Sequence, residues 1–195
     1  MFVALNRLGC DGNGASLGRV ARLSGIGHGT VHLYTTRVIT ALLSFKDELV
    51  RWPNAQQRRK IARQFATKHG LFDCVGIVDG TPIVCAQRPH VDGEVYYDRK
   101  RRYSINLQLM ICDDKRKLIF YQVGWPGSVF DMTVLGESVL ARNPEEYFSP
   151  NEFIIADAGY ALRWWLCTPY KNPAAQLAPN AVFNTLFSSC RVLIH

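Results

Sequence analysis

A chain of 195 residues has room for one full domain and a small appendage, and at that size it buries roughly 70% of its unfolded surface, so folding needs no disulfide staples. Hydrophobic residues make up 48% and charged residues 20%, which suits a soluble globular protein and excludes disordered, collagen-like and coiled-coil chains. Lys and Arg exceed Asp and Glu by 23 to 16, a net charge of +7; this favours an acidic partner such as nucleic acid but does not by itself establish one.

No apolar run reaches the ~18 residues of a membrane span. Residues 1–5 are too short for a signal-peptide core before the polar stretch at 6–14, so an intracellular, soluble protein with no membrane role is expected. Residues 16–50 have helical spacing. Leu17, Val20, Ala21 and Leu23 form a short apolar face, Ser24-Gly25-Ile26-Gly27 breaks it, and Val31, Tyr34, Val38, Ile39 and Leu42 resume it over 30–43. Helix, Gly-bearing turn and helix fit a helix-turn-helix, whose second helix would present His28, Thr30, His32 and Thr36 to a DNA major groove, with Arg37 a turn further on. The same pattern fits an ordinary helical hairpin. Residues 46–70 are helical and strongly charged, interrupted at Trp52-Pro53, where proline starts a new helix; they read as a connector with a solvated charged face.

From Phe72 the pattern turns to strands. Residues 74–78 form an apolar run ending at Asp79-Gly80-Thr81-Pro82, and residues 103–112 and 118–123 are two more, joined by a charged hairpin loop at 113–117. Trp125-Pro126-Gly127-Ser128 is a turn, 131–140 can form a helix, and 153–156 is a fourth strand ending at Asp157-Ala158-Gly159-Tyr160. Two Pro-containing loops follow, then a helix start over 184–195. The six cysteines (Cys10, Cys74, Cys85, Cys112, Cys167 and Cys190) show no Cys-x-x-Cys pair and no His at finger spacing, so reduced thiols, mostly buried, are expected rather than zinc.

Three aspartates stand in similar places: Asp79 and Asp157 each directly after an apolar strand, and Asp131 in a Gly-Ser turn leading into a helix. Each alone also fits an N-cap or turn residue. Carboxylates at one sheet edge can converge on a pair of hard cations, which prefer oxygen ligands, water and phosphate, so the set points to Mg²⁺ or Mn²⁺.

In order along the chain stand Val78-Asp79-Gly80-Thr81-Pro82, Tyr97-Asp98-Arg99-Lys100, Tyr103-Ser104-Ile105-Asn106, Pro126-Gly127-Ser128-Val129-Phe130-Asp131, Ala156-Asp157-Ala158-Gly159-Tyr160 and Thr168-Pro169-Tyr170. This succession, over residues 72–195, resembles Harbinger-type transposases and their domesticated relatives, which also carry an upstream helix-turn-helix. The resemblance implies an α/β fold, a ribonuclease-H-like mixed sheet flanked by helices and preceded by a small helical segment. It divides the chain into a helix-turn-helix-like segment at 1–50, a helical connector at 51–71 and a DDE-type nuclease domain at 72–195, incomplete at its C-terminus.

It further implies a DNA-cleaving or -joining site using divalent metal, with Asp79, Asp131 and Asp157 as the catalytic, metal-holding acids. A fourth acid, a glutamate, is expected on a C-terminal helix. Phe183-Asn184, Ser188-Ser189 and Arg191-Val192 match its surroundings, which puts His195 in the glutamate's place and leaves the metal site one carboxylate short. Activity is therefore expected to be impaired; the alternatives are a non-catalytic DNA-binding protein and a decayed element fragment.

Arg99, Lys100, Arg101 and Arg102 form a compact basic cluster that fits either DNA phosphate contacts or a solvated run. Trp125, Trp164 and Trp165 fit core packing or stacking on an unpaired base. Ser128, Thr81 and Thr133 lack a His-Asp pair for nucleophilic work, and no role is assigned to His69 and His90. Family members commonly rely on a separate DNA-binding partner protein, and a eukaryotic source implies the nucleus.

Overall fold

The computed structural model describes residues 1–10, 12–112 and 117–191. The chain divides into two units, Met1–Leu49 and Val50–His195.

In the first unit, α1 (Phe2–Leu8), α2 (Leu17–Ser24) and α3 (His28–Ser44) are followed by the single turn α4 (Lys46–Leu49). Ser16 starts α2 by accepting a hydrogen bond from the Arg19 amide, satisfying one orphan donor of the first turn, and Gly25 ends it in the left-handed region at φ 65°. The expected helix, glycine turn and second helix are thus present as α2, Gly25 and α3. Val20, Ala21 and Val31 pack together with Val3 of α1, a helix too short and irregular for its spacing to reveal. Along α3, Val31 and Thr35 point inward while His28, His32, Thr36 and Arg37 are exposed and Thr30 is half-buried.

In the second unit, Asn54 and Gln57 form a reciprocal capping box that opens α5 (Ala55–His69), and Gly70 closes it at φ 68°. Ile61, Ala62 and Phe65 of α5 enter the same core as Val75, Ile77 and Val78, so residues 51–71, expected as a connector, contribute a packed layer of this unit. Its charged face is not wholly solvated. Arg58 is buried and donates to Glu152 Oε2 at 2.6 Å, to the Pro53 carbonyl and to the Ser149 hydroxyl.

The strands β1 (Cys74–Val84), β2 (Ser104–Cys112) and β3 (Lys117–Pro126) are antiparallel neighbours. After α6 (Asp131–Gly136), α7 (Val139–Arg142) and α8 (Pro144–Tyr147) come β4 (Phe153–Ile155) and β5 (Leu166–Cys167), both parallel to β1, and then α9 (Ala178–Arg191). The sheet order is β3-β2-β1-β4-β5. This is the expected mixed sheet flanked by helices, of ribonuclease-H-like kind.

Three boundaries differ from the sequence reading. β1 continues through Asp79-Gly80-Thr81-Pro82 to Val84 because β2 pairs with it from Ile77 to Val84, while β4 pairs only as far as Ile77; beyond that point one edge of β1 is open, where a proline is tolerated. The helix expected over 131–140 breaks after Gly136, and Ser138 caps α7 separately. α9 begins at Ala178 rather than near Asn184, with Pro179 in its first turn, where a missing N–H costs nothing. Cys74 and Cys190 are buried free thiols, and burial pushes Cys190 up to about 11 and Cys74 higher still, as expected for packing rather than reactive groups.

Candidate active site

Asp79 and Asp157 are set by neighbouring parallel strands. β1 and β4 are in register at Ile77 and Ile155, and each aspartate follows two residues later on its own strand's path. Strands in a sheet lie ~4.8 Å apart, so the two aspartates follow neighbouring strands at matching positions, Asp79 within β1 and Asp157 in the turn after β4. The fully buried Ile77, Ile154 and Ile155 fix the backbone beneath them. Asp157 is held in a tight turn in which its Oδ1 accepts from the Gly159 amide at 2.8 Å. Both side chains are half-buried.

Asp131 comes from the opposite side. It opens α6, and its carboxylate lies directly over Gly80, where a Cβ would overlap it. The pleat turns Gly80 away from the face that Asp79 occupies. The residues of β2 on that second face complete the seat. Asn106 donates to Asp131 Oδ1 at 2.7 Å and to the Val129 carbonyl at 3.2 Å, and the buried Gln108 donates to the Asp131 backbone carbonyl.

Among the described residues no three His, Cys, Asp or Glu side chains form a group able to hold one ion. The pair of Asp79 and Asp157 supplies oxygen donors only, with no imidazole or thiolate in its set. That chemistry fits Mg²⁺ or Mn²⁺, which are commonly bound through one or two carboxylates plus water and substrate phosphate. His195, in the position expected for the fourth acid, lies outside the described residues.

The basic cluster is shaped by a buried acid. Tyr97 and Tyr103 form an isolated antiparallel bridge that closes the loop between them. Inside it, Asp98 accepts from the amides of Lys100 at 2.8 Å and Arg102 at 3.0 Å and from the Ser104 hydroxyl at 2.9 Å. Burial alone would raise the Asp98 carboxyl, but these hydrogen bonds and the Arg102 charge outweigh it and hold the group below the usual carboxylate range. Arg102 is the one cation of the four spent on this loop, at 3.5 Å from Asp98. Arg99, Lys100 and Arg101 are exposed and pair with no carboxylate among the described residues. Arg99 and Lys100, with Asp131, Asn106 and Ser128, line one pocket of ≈ 150 Å³.

Of the remaining candidates, Ser128 donates its hydroxyl to the Val95 carbonyl at 2.5 Å, and Thr81 and Thr133 are exposed. Trp165 is buried, Trp125 half-buried and Trp164 exposed. His69 lies beside Phe65 in α5. Asn106, Gln108 and the organising role of Asp98 were not assigned from sequence. A signal was available, because Ser104, Asn106 and Gln108 alternate with Ile105, Leu107 and Leu109, and polar groups on the inner face of a strand call for partners.

The chain is similar to known proteins over most of its length. The family model described as DDE superfamily endonuclease matches residues 78–195. The Arabidopsis thaliana protein named ALP1-like is 31% identical, over 93% of this chain and 47% of its own length. The human protein named "Putative nuclease HARBI1" is 28% identical over 87% of this chain and 48% of its own, and the Arabidopsis protein named Antagonist of Like Heterochromatin Protein 1 is 27% identical over 86% and 45%. The chain thus spans about half the length of these curated relatives. No solved structure matches it.

Proposed function

Because the chain belongs to the DDE superfamily endonucleases, we propose that it cleaves phosphodiester bonds of DNA with divalent metal, Mg²⁺ or Mn²⁺, at the Asp79–Asp157 pair. The observation that supports this reading is the parallel register of β1 and β4, from which Asp79 and Asp157 each follow two residues beyond the paired Ile77 and Ile155. When bound, a pair of such ions activates a water or 3′-hydroxyl and offsets charge on the phosphorus and the leaving oxygen.

The chain's own residues then have separable tasks. Asp79 and Asp157 hold the ions, and the buried isoleucines beneath them keep the two carboxylates from drifting apart. Asp131 is the third acid of the set. Its seat on Asn106 and Gly80 favours action from the pocket side, where it anchors the wall that Arg99 and Lys100 share. Arg99, Lys100 and Arg101 grip the phosphate backbone, with Arg102 keeping their loop closed. His195 stands where an acid is expected and brings no carboxylate, so metal affinity and turnover are low in this chain. The exposed His28, His32, Thr36 and Arg37 of α3 and the half-buried Thr30 contact duplex DNA, mainly at phosphates. With so few base-reading side chains, a separate DNA-binding protein supplies target choice, in the nucleus if the source is eukaryotic. No helix among the described residues is long and apolar enough to cross a membrane.

The test is cleavage of an end-labelled duplex in Mn²⁺ or Mg²⁺ against an EDTA control, with the chain as it stands and with His195→Glu. Weak cleavage that rises with His195→Glu and vanishes in EDTA is expected. No metal-dependent product from either protein would overturn the reading in favour of a DNA-binding role without catalysis.

A further inference from the structure

A cavity of ≈ 420 Å³ lies between α6 and the turn that leads into β5, walled by Met132, Leu135, Tyr160, Arg163, Trp164 and Leu166. Its size falls within the ~300–1,000 Å³ of small-molecule sites. Leu135, Tyr160 and Leu166 are fixed in the core, so the inner walls are preformed.

Its rim is unusual. Arg163 and Leu166 exchange backbone hydrogen bonds at 3.0 and 3.2 Å, closing a tight turn with two tryptophans at its tip. Trp165 is buried and stacks on Phe148 with ring centroids 5.5 Å apart and planes 19° from parallel. Trp164 is 57% exposed and meets Phe148 only edge-on, at 6.3 Å and 82°. One indole therefore anchors the turn, and the other is held at the cavity mouth with apolar surface in water. Beside it, Arg163 is exposed and pairs with no carboxylate among the described residues.

We propose that this cavity receives one unpaired base of a DNA strand, with Trp164 as the stacking platform and Arg163 as the contact to the adjoining phosphate. The proposal rests on the nuclease reading in one respect, namely position. The cavity wall α6 begins at Asp131, and the loop carrying Tyr160 begins at Asp157, so the segments that carry these two acids also wall the cavity. An aromatic platform with a neighbouring cation suits a base, whose π-face any sequence provides, better than it suits a phosphate alone.

The probe is a single-stranded oligonucleotide carrying one 5-iodouracil, with a fully paired duplex as comparison, all in EDTA so that no cleavage is involved. Ultraviolet crosslinking followed by peptide mass spectrometry should place the adduct on Trp164. Trp164→Ala should weaken single-strand binding about ten-fold or more, Trp164→Phe should restore most of it, and duplex binding should hold steady, with thermal unfolding reporting that each variant is folded. An adduct elsewhere in the unmodified chain, or an equal loss for strand and duplex, would overturn the base site, and the adduct test stands even if Trp164→Ala fails to fold. An intact crosslink with no metal-dependent cleavage would instead fell the nuclease reading alone.

Discussion

Gly80 shows how one residue connects strand and site. A side chain there would occupy the space of the Asp131 carboxylate, so Gly80→Ala is expected to displace α6 from β1 and to reduce cleavage more than its small volume suggests, read by comparing activity with the thermal midpoint. The three aspartates should also separate by effect. Asp79→Asn or Asp157→Asn removes charge from the metal pair and should take cleavage to background. Asp131→Asn keeps a side-chain oxygen for Asn106, and an indirect partner of this sort costs about 10–100-fold. Equal and complete loss in all three would mean that Asp131 is itself a metal ligand.

The loop between the Tyr97–Tyr103 bridge shows what a single buried acid does for an element. Asp98 gathers two amides and a hydroxyl, and its carboxyl is held below its ordinary range. A carboxyl depressed on folding stabilises the folded state above its unfolded pKa, and the contribution is lost as pH falls through the folded value. The loop should therefore be firm at neutral pH and loosen only in acid. Asp98→Ala should expose Arg99, Lys100 and Arg101 to trypsin at neutral pH; cleavage there at the unmodified rate would show that the loop does not depend on the acid. The α5 element has a similar dependence. Glu152 is the buried counterpart of Arg58, and Glu152→Ala leaves an uncompensated guanidinium, so a loss of about 3–5 kcal/mol is expected in denaturant unfolding.

At the scale of the whole molecule, the three exposed cations of the basic loop should dominate the salt dependence contributed by the second unit. Replacing Arg99, Lys100 and Arg101 together should reduce the slope of log affinity for duplex DNA against log salt by about 3, at ~0.9 per phosphate contact. Much of this architecture is legible in the sequence. Apolar runs marked four of the five strands, β5 being read as loop, and Gly25 marked the turn between α2 and α3. What escaped is what depends on neighbours distant in sequence. Asp79-Gly80-Thr81-Pro82 looks locally like a turn, and only pairing with β2 makes it strand. The charged segment at 51–71 looks like a solvated connector, and only Glu152, some 94 positions away, makes Arg58 a buried residue.

The pairing of Asp79 with Asp157 is the central claim, and manganese electron paramagnetic resonance measures it most directly. Titrating Mn²⁺ into the protein should show weak binding by the unmodified chain, a further loss with Asp79→Asn or Asp157→Asn, and binding largely retained with Asp131→Asn. Unchanged Mn²⁺ binding in the Asp79→Asn, Asp157→Asn double variant would contradict the account.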